Sequence, residues 1–162
     1  MKNTQLCVAA VALLFVSAGA TAAESAGTFA NVNGKSTTTT LPDGRTEVIS
    51  HYTQITSSNK ADDPVGNTES ACVGRFVQSG DGAVLSASGI CFSTNVSGDG
   101  GSWWWKADEI GTSKCPDMCG SFGWIDGHGK FKGISGMGTW VRTAVLANSA
   151  MGTYKSTYSL KK

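Results

Sequence analysis

Helical periodicity is the first thing this chain lacks. No window keeps apolar residues at i, i+3, i+4 and i+7 without a glycine or β-branched interruption. Glycine is plentiful (21) and proline scarce (three), which disfavours helix throughout. A bundle is thereby excluded. Charge of one sign is missing as well: 13 basic residues face 12 acidic ones, and only 15 % of the chain is charged. That balance excludes the basic patch that a nucleic-acid or anionic-membrane surface needs. Past the N-terminus, no apolar run approaches the ~20 residues of a spanning helix. With only two histidines, no H-E-x-x-H and no compact carboxylate cluster, the chain offers no metal site and implies no cofactor.

The N-terminus does hold one short apolar segment. Lys2 precedes a run from Cys7 to Val16, followed by small residues that end in an A-x-A-like pattern near Ala22 and Ala23. This reads as a secretory signal over residues 1–23, leaving residues 24–162 as one domain of an exported, periplasmic or secreted protein. Removing the segment takes away Lys2 and leaves twelve charges of each sign. It also removes Cys7, so that four cysteines remain: Cys72, Cys91, Cys115 and Cys119. An even number in an oxidising compartment reads as structural disulfides. Three pairings are open. We favour Cys72–Cys91, on what read as neighbouring strands, and Cys115–Cys119, across the tight "CPDMC" turn. Zinc is the rival, but paired C-x2-C knuckles are absent.

The remainder reads as short Val/Ile/Thr/Tyr/Trp runs separated by turn residues. "STTTT" and "TEVISHYTQI" flank "LPDGR", a Pro-Asp-Gly turn, and so form a β-hairpin over residues 36–55. Residues 57–70 are polar and turn-rich and form the longest loop, a flap or a linker. Six further runs follow, with "SGDG" twice and "DGHG" once between them. About eight strands result. A single sheet of that size leaves exposed edges, and closing it into an antiparallel barrel removes them. A two-sheet β-sandwich is the alternative.

One stretch carries a family likeness. "DGHGKFKGISGMGTW", residues 126–140, resembles the glycine-rich "GGTGKF-x-G-x-x-G-x-G" segment of allene oxide cyclases, dirigent proteins and bacterial secreted members of that barrel superfamily. Gly127, Gly129, Lys130, Phe131, Gly133, Ile134, Gly136 and Gly138 match it, while His128 departs from it. The resemblance implies an eight-stranded antiparallel barrel around a central cavity, and assembly into homo-oligomers without a defined subunit count. It carries over no catalytic residue.

Tryptophan is the most informative residue present. In "GSWWWKAD", strand alternation puts Trp103 and Trp105 on one face and Trp104 on the other. Inward indoles would grip an apolar ring or chain, whereas an outward Trp104 would stack on a sugar or aromatic partner, or be covered by loops or a neighbouring subunit. Trp124 and Trp140 sit on later strands and extend the same layer. In the second strand Ile49, His51, Thr53 and Ile55 share a face opposite Val48, Ser50, Tyr52 and Gln54. If the isoleucine-bearing face is the inner one, His51 enters the barrel as a polar contact or proton shuttle. His128 reads as a solvated turn residue. The reading that follows is binding of a small apolar or aromatic molecule. A cyclase or isomerase templating a reactive intermediate is one alternative, and a filled structural barrel is the other.

Overall fold

A computed structural model describes residues 22–60, 63 and 65–161, so that the expected signal segment lies almost wholly outside the described residues. Eight strands follow one another: β1 (Ala23–Thr40), β2 (Thr46–Ser58), β3 (Thr68–Gln78), β4 (Val84–Thr94), β5 (Gly100–Ile110), β6 (Met118–His128), β7 (Ser135–Leu146) and β8 (Ser149–Ser159). Each pairs antiparallel with the next, and β8 pairs with β1 to close the ring. The fold is therefore the closed barrel and not the sandwich. Closure gives every described strand a paired neighbour on both sides.

The turn chemistry is local. Leu41 and Arg45 pair across the β1–β2 turn, with Gly44 at φ 83°. The two "SGDG" turns place Gly82 at φ 89° and Gly98 at φ 79°, backbone that L-residues seldom adopt. β1 reaches much further back than "STTTT" indicates. Its first half, rich in Ala, Gly and Asn, has little strand propensity of its own and is held by β8 on one side and β2 on the other.

The glycine-rich segment forms the floor. It does not run on as strand from Gly129, as its Phe and Ile suggest, but makes a 3-10 turn, η1 (Gly129–Phe131), before β7 begins. Gly129 sits at φ 61°, and a Cβ there would lie 2.1 Å from Asp99 Oδ1, which accepts the Lys130 N–H at 3.0 Å. Glycine is the residue that permits that approach. Gly127, Gly133, Gly136 and Gly138 line the same turn and the first half of β7, where Gly138 lies against the Phe122 ring. The turn tucks Phe131 (0 % exposed) beneath the barrel with Ile134, Val65 and Tyr158. Val65 comes from the β2–β3 loop. That loop, read as a flap or linker, contributes to the plug through Val65 and through Asp63, which accepts the Val65 N–H and the Ser58 hydroxyl.

Both favoured disulfides are present. Cys72 and Cys91 are register partners on β3 and β4, and their bond faces the barrel interior. Cys115–Cys119 pins the β5–β6 loop. Among the described residues, no helix is long and apolar enough to cross a membrane.

Candidate functional site

Inside the barrel lies a cavity of about 310 Å³, closed at the floor by the Phe131 plug and reached from the opposite end. Its lining follows from strand alternation. From β5, Trp103 and Trp105 point in, on the face they share by alternation. β6 adds Met118, Phe122 and Trp124, and β7 adds Trp140. These side chains make one continuous aromatic wall. Trp105 meets Trp140 edge-on at 6.0 Å and Phe76 at 5.9 Å, and Trp103 meets Phe122 at 5.7 Å. Such tilted and T-shaped contacts suit the ring quadrupoles.

The opposite wall is polar. On β2 the inward face is Val48, Ser50, Tyr52 and Gln54, the reverse of what Ile49 and Ile55 suggest. Ile55 is 55 % exposed on the outside, and His51 is exposed beside it. His51 thus lies on the outer wall and not in the cavity. The inference failed because it assumed a dry, apolar interior, whereas this half of the barrel presents hydroxyls and amides to its cavity. β1 contributes Asn31 and Asn33, registered against Gln54 and Tyr52.

Polar groups form a belt that crosses four strands. Asn31, Gln54, Ser70 and Ser93 are successive register partners across β1 to β4. Ser70 and Ser93 share a 2.7 Å hydroxyl bond, and Ser93 also accepts the Trp103 indole N–H at 2.6 Å. At the other end of the belt the Asn31 Oδ1 is buried without a hydrogen-bond partner, as is the Trp124 Nε1. Gln54, only 8 % exposed, donates to and accepts from no other described side chain.

The phenols are neutral donors. Burial pushes the Tyr52 hydroxyl well above the usual tyrosine range, with the adjacent Trp105 indole opposing the shift. Burial also raises Tyr154, opposed by its bond to Ser25. At the mouth, Arg142 lines the cavity and is clamped through two guanidinium nitrogens by Asp117, which the Cys115–Cys119 loop carries. No carboxylate lines the cavity among the described residues.

Trp103, Trp105 and Trp124 therefore converge in the cavity, while Trp104 does not. Trp104 lies half-buried on the outside over Gly123, in a shallow depression with Val73, Ile90, Arg75 and Lys106. Sequence reasoning missed Asn31, Gln54, Phe122, Tyr154 and Arg142 as lining residues. Register with Trp103 and Trp105 could have found Phe122; nothing in the local sequence marks the amides.

No protein-family model and no curated relative matches the chain. Among solved structures, that of the pterocarpan synthase dirigent protein GePTS1 is similar, with a TM-score of 0.53 and 12 % identity over 87 % of this chain and 92 % of that one. The likeness is one of fold: the chain has the dirigent-type eight-stranded barrel.

Proposed function

We propose that this dirigent-type barrel is an exported protein that binds a small apolar or aromatic molecule in its interior. The observation that carries the reading is the 310 Å³ cavity, walled on one side by four indoles and a phenyl ring and closed at the floor. That volume is at the lower end of ligand pockets, which run to ~300–1,000 Å³ and are mostly apolar with a few placed polar groups. Water in such a space has few partners along the indole wall, so a ring that displaces it gains burial at about 25 cal/mol per Å² of apolar surface. The four disulfide-bonded cysteines support an oxidising compartment.

The lining supplies binding and orientation. Its ionisable side chains among the described residues are Tyr52, Tyr154 and Arg142, the last already paired. Native mass spectrometry of the exported protein tests the reading. An adduct lost on denaturation, or uptake of an added aromatic with quenching of indole fluorescence, is expected. A bare mass with no uptake and unchanged fluorescence across a panel of small aromatics would sink it.

A further inference from the structure

An apolar guest alone leaves one half of the cavity unexplained. In a ring of eight strands β1 and β2 stand across from β5 and β6, so that the Asn31–Gln54 pair faces the wall that holds Trp103, Phe122 and Trp124. Covering those two amides with an apolar molecule would strip them of water and return no hydrogen bond, a net loss. The same holds for the Trp105 and Trp124 N–H groups, which are buried and unpartnered. The other belt members already bond one another: Ser70 to Ser93, and Ser93 to Trp103. Unmatched polarity in the lining is thus carried by the Asn31 and Gln54 amides on one wall and by the Trp105 and Trp124 indole N–H groups on the other.

The character of these groups narrows the ligand. They are all uncharged. The charged side chain of the lining, Arg142, is held at the mouth by Asp117. A charged head at the belt would lose its water without gaining a counter-ion. Each amide both donates and accepts, and two of them in register present alternating donors and acceptors over one strip of wall. Vicinal hydroxyls match that strip, because each also donates and accepts. A ring with hydroxyls around its edge and C–H groups on its faces can bond the amides and still pack flat on indole. A saccharide ring has this construction.

Resting on the cavity reading above, we infer that the occupant is a neutral glycoside. Its sugar lies against the Asn31 and Gln54 amides, and its apolar aglycone lies against the facing indole wall. The amides set the preference for a sugar; the indoles set the preference for a ring.

Calorimetric titration of the disulfide-intact protein with phenyl glucoside, phenyl galactoside and phenyl mannoside, each against anisole, tests this. Anisole keeps the aryl ether and lacks the sugar hydroxyls. At least one glycoside is expected to bind about tenfold or more tighter than anisole, the scale of a buried polar group gaining its partner. Gln54→Leu and Asn31→Leu, checked for unchanged melting, should each bring that ratio to within about twofold while anisole affinity holds. Equal binding of glycosides and anisole overturns the inference and leaves the cavity reading intact. So does a glycoside preference that survives both substitutions, or one abolished by Trp104→Ala, which would place the sugar on the outer wall. If no compound binds at all, the cavity reading itself falls.

Discussion

The two walls of the cavity are built from the same backbone and do different work. The β5–β7 wall is aromatic, and its rings touch one another and the Cys72–Cys91 bond. The β1–β2 wall carries amides and hydroxyls, among them an Asn31 Oδ1 that is buried without a partner. Area removed from water stabilises a fold in proportion to its apolar extent, whereas an unpaired buried amide costs stability. The first wall should therefore hold the barrel together, and the second should discriminate among ligands at some expense to the fold. One sheet, closed on itself, separates the two tasks by strand.

The largest effect expected from this contrast is Trp105→Ala. Trp105 touches Tyr52, Phe76 and Trp140 at once, and truncating it should cost about 3–5 kcal/mol in urea denaturation. The same truncation at half-exposed Trp104 should cost clearly less; equal losses would erase the distinction between inner and outer face. Next comes the paired substitution Cys72→Ala with Cys91→Ala. It opens a loop of 19 residues and should cost about 3 kcal/mol, while removal of Cys115 and Cys119 together, four residues apart, should cost less.

A pH test sharpens the link between the walls. Tyr52 has its phenol pKa raised in the folded state by burial, so the folded protein holds that proton after an unfolded chain has released it. The stabilisation is complete below the ordinary tyrosine value of ~10 and is lost as pH rises beyond it. Denaturation midpoints followed from pH 8 to 11 should fall at the alkaline end, and Tyr52→Phe should flatten the fall. An unchanged slope would mean that Tyr52 is more open than its packing indicates. Smallest is Asp117→Asn, which loosens a half-exposed pair and should cost about 1 kcal/mol or less. Its clearer readout is faster ligand exchange at the mouth by stopped-flow fluorescence.

Much of the fold was legible because turn chemistry is local. Asp-Gly and Ser-Gly-Asp-Gly punctuate the chain, and the runs between them number eight. Alternation put Trp103 and Trp105 on one face and Trp104 on the other without saying which is inner, and proximity along the chain made Cys115–Cys119 the natural bridge. Depth and facing on β2 were not legible. Ile49 and Ile55 look like core residues until their strand is known to border a hydrophilic cavity, a property of strands far away in sequence. β-Bulges add to this: the irregularity between Asn33 and Ser36 changes which β1 residues face in after it, and the one between Ser102 and Trp103 resets β5 against β6. Asn31 and Gln54 gain their meaning only from register.

The β1–β8 ladder sets the order of assembly. Ala23 pairs with Tyr158, so the ring closes between residues separated by nearly the whole described chain. Seven of the eight ladders join neighbours in sequence and can form as hairpins, while this one must wait for the last strand. Until then β1 and the unfinished sheet both present open edges, and the floor lacks Tyr158. Closure of so long a loop is slow and exposes the chain to mispairing. A chain that reaches its compartment unfolded would cross that stage only after release, with both edges meeting each other first because they belong to the same molecule.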